Sequence, residues 1–312
     1  MIEIEQTCLD SGMPTTRHRS PPLRETHFDN ARLAALGIEV MTLGELGRRV
    51  PARTLAAPER LDFYLLLLVA SGRCRHVVDF VDRPLSRGSL VFVRPGQVQQ
   101  WRLQPGVEGR LILVAPAALS AGRASPSSRE VSLLALDEWP ACSELSGRTR
   151  VEIEQEIERL GREFERYDAS ALGIALIRQM LVCLMLRLAR WHAATPDDAP
   201  AGGSDRAHYR LFVRELEAGF REHRDVRHYA QRLGYSESTL SRACLAAEGR
   251  SAKQVIDRRV ALEARRMLAH GDASVAEIGH QLGFSEPTNF VKFFGRLSDC
   301  TPTAFRARMT VA

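Results

Sequence analysis

Asp225-Val226-Arg227-His228-Tyr229-Ala230-Gln231-Arg232-Leu233-Gly234-Tyr235-Ser236-Glu237 is answered near the C-terminus by Ser274-Val275-Ala276-Glu277-Ile278-Gly279-His280-Gln281-Leu282-Gly283-Phe284-Ser285-Glu286. Each stretch has a polar cap, an apolar stripe at helical spacing, a glycine stop, an aromatic, and a serine placed to open a second helix. That is the layout of a helix-turn-helix, and two in tandem predict a protein that reads DNA. In the first copy Asp225 caps the helix whose inner face is Val226, Ala230 and Leu233. In the second, Ser274 and Glu277 make a capping box ahead of Val275, Ile278 and Leu282. Ala230 and Gly279 occupy the same place, small enough for the next helix to cross closely. Gly234 and Gly283 can take the left-handed conformation that ends a helix. Ser236 and Ser285 are expected to cap the helices that follow.

In those second helices Leu240 and Phe290 are the inward anchors. The residues expected to face DNA are Ser236, Ser238, Thr239, Ser241 and Arg242 in the first unit. Their counterparts in the second are Ser285, Thr288, Asn289, Val291 and Lys292. Arginine can bond guanine bidentately, asparagine can bond adenine, hydroxyls can meet either, and valine can meet a thymine methyl. Between the units a helix from about Ser251 to His270 has Ile256, Val260, Ala264 and Met267 as its apolar stripe and Gly271 as its stop. At ~1.5 Å per residue it spans roughly 27 Å. Such a spacer can set two recognition helices about one duplex turn apart, ~34 Å.

The totals agree with this reading. A length of 312 residues predicts two domains. From Arg206 onward there are 18 Lys+Arg against 12 Asp+Glu, and before it 25 against 26, so the positive charge accompanies the repeated motif. Met1-Ile2-Glu3-Ile4-Glu5 lacks the basic and apolar regions of a signal peptide. No apolar run approaches the ~20 residues of a membrane span, so a cytoplasmic protein without membrane contact is expected. Cys8, Cys74, Cys142, Cys183, Cys244 and Cys300 are scattered, which fits buried free thiols better than a zinc site or a disulfide framework.

Ahead of the motif the chain changes character three times. Residues 1–35 mix Arg, His, Pro and acids without periodicity and predict a loosely ordered arm. Residues 36–143 hold short strand-like runs between turn signals: Asp62 to Ala70, His76 to Phe80, Leu90 to Val93, Val98 to Trp101 and Leu111 to Val114. That spacing predicts a β-barrel or jelly roll. Residues 144–193 read as two helices, the second apolar nearly all round, with Ile177, Leu181, Leu184 and Leu188 as a candidate dimerisation surface. Residues 194–205 are polar and rich in Pro and Gly and predict a linker, and 206–312 form one helical domain.

Over about Arg210 to Arg308 the chain resembles the DNA-binding domain of the AraC/XylS family of transcription regulators. The resemblance is carried by Leu233-Gly234-Tyr235-Ser236, Leu240-Ser241-Arg242, Arg259, Ala264, Ile278 to Ser285, Phe290, Lys292, Phe294, Thr301-Pro302 and Phe305-Arg306. The sequence departs from the family pattern at Gly279, Lys292 and Asp299, where alanine, arginine and glycine are usual. Around Gly72, Asp79, Gly88 and Pro95-Gly96-Gln97 the front half is similar to the cupin-like regulatory domain of such proteins. The resemblance implies an α+β architecture: a cupin-like β-barrel with trailing dimerisation helices, then an all-α domain of two helix-turn-helix motifs joined by a long helix. It also implies a homodimer that binds double-stranded DNA at promoters, activates through RNA polymerase, and responds to a small-molecule effector.

His76 is the only histidine between residues 28 and 191, so no paired-histidine metal site is expected and no cofactor is implied. A non-covalent effector pocket inside the barrel has His76, Arg94, Gln100 and Trp101 as candidate lining. Three alternatives stay open on sequence alone. They are a constitutive repressor whose barrel only dimerises, a cupin enzyme fused to a DNA-binding module, and a cysteine-based redox sensor.

Overall fold

The computed structural model describes residues 24–120, 134, 136, 139–194 and 203–311. They belong to two compact units, one ending at Thr195 and the other beginning at Pro196. Most of the expected N-terminal arm (residues 1–23), Cys8, and residues 195–202 of the expected linker lie outside the described residues.

The first unit contains, in chain order, β1 (Arg24–Thr26), β2 (Ile38–Thr42), α1 (Leu43–Arg49), α2 (Ala52–Leu55), β3 (Glu59–Leu61), β4 (Tyr64–Ser71), β5 (Cys74–Val78) and β6 (Val81–Leu85). It continues with β7 (Ser89–Val93), β8 (Val98–Arg102), β9 (Glu108–Val114), α3 (Pro116–Ser120), β10 (Cys142–Glu144), α4 (Gly147–Glu165) and α5 (Ala171–Ala194). The strands form two five-stranded sheets, ordered β1-β3-β8-β5-β6 and β10-β7-β4-β9-β2.

The second sheet is covered on both faces, which explains its unbroken apolar run. Leu65, Leu67 and Val69 of β4 pack toward the first sheet, in one cluster with Leu61, Val78 and Trp101. Leu66 and Leu68 turn the other way, into a cluster with Ile153, Ile157 and Leu160 of α4 and Leu181 and Leu188 of α5. A bidentate pair from Arg110 on β9 to Glu158 on α4, 2.9 Å at each arm, adds a polar tie between that sheet and the helices.

Four readings of the front half need correction. Residues 24–35 are not a loose arm: β1 pairs in parallel with β3, Thr26 donates to Glu59, and Leu33 is buried. Strand β6 was invisible because the turn before it, Asp79-Phe80, has no glycine. Both residues nevertheless take positive φ, 48° and 69°. Asp79 is held there by Gln97 Nε2 and the Val98 amide. Pro84 is tolerated because β6 is an edge strand.

The third correction concerns Ile177, Leu181, Leu184 and Leu188. All four are buried in their own subunit's core, so they cannot form a dimerisation surface. The fourth is that α5 is long and apolar enough to cross a membrane by length and composition alone. Its inner face packs on the sheet, and Arg178 donates to the Ala35 and Leu36 carbonyls.

The second unit contains α6 (Gly203–Gly219), α7 (Val226–Leu233), α8 (Glu237–Glu248), α9 (Ala252–His270), α10 (Val275–Gln281), α11 (Pro287–Ser298) and α12 (Pro302–Val311). Residues 203–205, expected in the linker, already belong to α6. Ile256, Val260, Ala264 and Leu268 of α9 lie at the centre of a core shared by α6, α7, α8, α10 and α11. Met267, expected in that stripe, is only partly buried, and Leu268 takes the inward place.

Leu188 is fully enclosed against the sheet. Leu188→Ala is therefore expected to cost about 2–5 kcal/mol of unfolding free energy. Urea denaturation of the purified chain measures this, and a loss under about 0.5 kcal/mol would mean the residue is not core.

Candidate nucleic-acid interface

Each helix-turn-helix is set by local chemistry that the repeat announced. Asp225 accepts from the Arg227 amide to start α7, and Gly234 ends that helix in the left-handed region at φ 71°. Ser236 accepts from the Thr239 amide to start α8. Ser274 and Glu277 form the reciprocal capping box of α10. The close crossing in the second unit is tight. A Cβ added at Gly279 would lie 3.1 Å from the Phe290 Cβ, so glycine in place of the usual alanine relieves contact with the larger anchor.

Ser285 does not cap α11, contrary to expectation. The helix starts one residue later, with Glu286 as N-cap, no side-chain cap bond, and Pro287 in the first turn. Proline restricts the residue before it to extended backbone, and Glu286 has φ −125° and ψ 129°. Asp299 ends the helix at φ 52°.

The inward anchors Leu240, Cys244, Phe290 and Phe294 are fully buried. Burial pushes the Cys244 thiol up to about 12. The opposite faces are open. Ser236, Ser238 and Arg242 are exposed on the first unit, with Thr239 and Ser241 half-buried beside them. On the second, Ser285, Thr288, Asn289 and Lys292 are exposed and Val291 is half-buried. Ser236 Oγ lies 2.8 Å from both Ser238 Oγ and Thr239 Oγ1.

Sequence reasoning missed one partner. Arg242 Nε donates to Asp205 Oδ1 of α6 at 3.2 Å. The side chain expected to be the most specific base reader is thus held by a carboxylate 37 residues away, a separation that no local motif reveals.

In the first unit, the four effector-pocket candidates do not converge. His76 and Trp101 are paired across β5 and β8 with rings 4.3 Å apart, and both are buried between the sheets. Burial lowers the His76 pKa to about 4, so the ring is neutral at pH 7. Gln100 is next to Trp101 on β8 and therefore points to the other face, where its amide donates to the Ala56 carbonyl. Arg94 holds the Leu136 and Trp139 carbonyls at 3.1 and 2.9 Å. Burial also pushes the Cys74 and Cys142 thiols up, the reverse of what a thiolate sensor needs. Among the described residues no group of three or more His, Cys, Asp or Glu is placed to hold a metal ion.

Two helix-turn-helices on one central helix, behind a domain of two packed sheets, define a DNA-binding transcription regulator. The helix-turn-helix domain family matches residues 229–308, and the AraC-like ligand binding domain family matches residues 46–177. The chain belongs to the AraC family of transcription regulators. The HTH-type transcriptional activator RhaS of Pectobacterium carotovorum subsp. carotovorum (strain PC1) is 26% identical over 261 residues, 80% of this chain and 88% of that protein. Among solved structures, ToxT from Vibrio cholerae is 8% identical with a TM-score of 0.42, covering 80% of this chain and 91% of that one. An AraC-type transcriptional regulator from Chromobacterium violaceum is 22% identical with a TM-score of 0.32, covering 35% and 96%.

Arg242→Ala is expected to cost about 1–3 kcal/mol in specific DNA binding and to relax preference at one base position. Asp205→Ala, which releases that guanidinium, is expected to tighten specific binding. Titration of both variants against selected and random duplexes checks this; equal weakening of Arg242→Ala on every sequence would reduce the residue to a phosphate contact. Asp299→Gly removes left-handed strain and is expected to raise stability by about 0.5–1 kcal/mol in thermal unfolding.

Proposed function

We propose that the chain is an effector-responsive activator that works as a homodimer in the cytoplasm, binds double-stranded DNA at promoters, contacts RNA polymerase, and acts by binding rather than by catalysis. The observation that carries this reading is the pair of open polar faces on α8 and α11, fixed to the single helix α9. Ser238, Thr239, Ser241 and Arg242 read bases from the first, with Ser236 at its start. Thr288, Asn289, Val291 and Lys292 do so from the second, with Ser285 before it. The activator assignment draws support from the relative RhaS, which is itself a transcriptional activator.

The dimer uses the face of α5 that its own sheet leaves uncovered. Leu172 is 84% exposed and Leu176 47% exposed, and Ala175 and Cys183 are exposed along the same side. The effector acts by population shift, favouring one arrangement of a paired molecule over another. Sequencing the DNA captured by the protein identifies the operator, and transcription from that promoter with added metabolites tests the response. Output unchanged across a broad metabolite set would leave a constitutive binder.

Leu172→Glu combined with Leu176→Glu is expected to give a monomer in sedimentation velocity while thermal unfolding still shows a cooperative transition. A dimer that persists in this variant would place the interface elsewhere.

A further inference from the structure

The entry to α7, residues 220–225, lies against the turn of the second helix-turn-helix, and Arg224 makes the joint. Its Nη2 donates to the Gly283 carbonyl at 2.7 Å, and its guanidinium carbon lies 3.6 Å from the centre of the Phe284 ring. Burial pushes the Arg224 pKa down while the Asp257 carboxylate opposes that shift. The guanidinium is thus partly withdrawn from water, where stacking on a ring is strongest. Phe284 in turn packs edge-on against Phe290, the inward anchor of α11, with 5.3 Å between ring centres. The backbone closes on the same turn: a Cβ added at Gly283 would lie 2.5 Å from the Arg221 carbonyl oxygen. At Gly234, the matching place in the first motif, an added Cβ would meet nothing within 4 Å.

The same segment is held by the first motif. Asp225 caps α7, and the buried Tyr229 of that helix donates its hydroxyl to the His223 carbonyl at 2.8 Å. Lys253, at the start of α9, donates to the Arg224 carbonyl at 3.1 Å. Residues 221–225 are therefore gripped by the first motif, the central helix and the second motif together. A motif packed on one helix alone keeps some freedom to pivot about that contact, and a second tie to its neighbour removes it. A planar guanidinium makes such a tie better than a point charge, because its face stacks while its edge donates. We propose that Arg224 is a positioning residue for DNA recognition. By clamping Gly283 and Phe284 it fixes the angle between the two recognition helices, and so the spacing of the two base sequences that one chain accepts. The assignment rests on the proposed contact of both α8 and α11 with one duplex.

The probe is a duplex selected from a random pool by the full chain, with two altered versions. One carries a single base pair inserted between the two sequences that a chain contacts, and the other has the second sequence scrambled. The insertion moves the second sequence by ~3.4 Å and turns it by roughly 35°. The parent is expected to lose at least about tenfold in affinity on insertion, and Arg224→Ala under about threefold. On the scrambled duplex the two chains should bind alike. Both affinities of a chain come from one preparation, so partial unfolding cancels from their ratio. Arg224→Lys is expected to keep the parent's affinity for random DNA and to lose the insertion penalty as alanine does. The proposal is overturned if Arg224→Ala keeps the parent's penalty, if lysine restores that penalty in full, or if the parent itself tolerates the insertion. Equal weakening of Arg224→Ala on every duplex also overturns it, reducing the residue to a phosphate contact. A parent unaffected by scrambling would instead remove the two-helix reading, and the proposal with it.

Discussion

Glu263 is a carboxylate almost wholly enclosed in protein, and the DNA-reading unit is arranged around it. Its oxygens are met by three guanidiniums: Arg221 at 2.9 Å, Arg266 at 3.1 Å and Arg259 at 3.3 Å. Withdrawing such an ion from water costs several kcal/mol, and the cost is offset only when geometry and hydrogen bonding are nearly complete. Each arginine therefore has one useful position; Arg259 and Arg266 are neighbours of Glu263 on α9, and Arg221 brings another segment to it. Arg221 fixes the turn that leads into α7. Arg259 reaches back to Glu217 of α6 at 2.7 Å and lies over the Phe220 ring, 3.8 Å from its centroid. Nearer the start of the same helix, Asp257 binds Lys253 at 2.6 Å and Arg296 of α11 at 3.3 Å. Arg306 of α12 donates to the carbonyls of Leu268 and Ala273 at the far end. Apolar packing makes α9 the centre of the unit, and these charged ties give both helix-turn-helices a single register on it.

Much of the second unit was legible because its signals are local. A capping residue, a glycine stop and an apolar stripe lie within a dozen residues, and backbone geometry leaves them little choice. The error at Ser285 has the same origin, since the rule that proline forces the preceding residue into extended backbone competes with serine capping and wins. The long-range part of the charged cluster was not legible, because Arg221 lies 42 residues from Glu263 and Glu217 lies 42 residues from Arg259. The front unit shows the same division. Strand runs with glycine turns could be read, while β6 hid behind a non-glycine turn. Strand alternation alone would have separated Gln100 from Trp101, since adjacent residues on β8 face opposite sides.

The two readers, which look equivalent in the repeat, differ in what restrains them. Lys292, on the second recognition helix, makes no ion pair among the described residues and is a point charge suited to phosphate as much as to a base. Arg242, on the first, has the planar fork that suits bidentate bonding to guanine, and its Nε is engaged by Asp205. Asp205 lies in the first turn of α6, the first helix of the second unit. A change in how the chain enters this helix would move the carboxylate, whereas α9 keeps the recognition helix itself in place. Under the proposed reading, Arg242 must exchange the Asp205 carboxylate for a base before the first helix can discriminate.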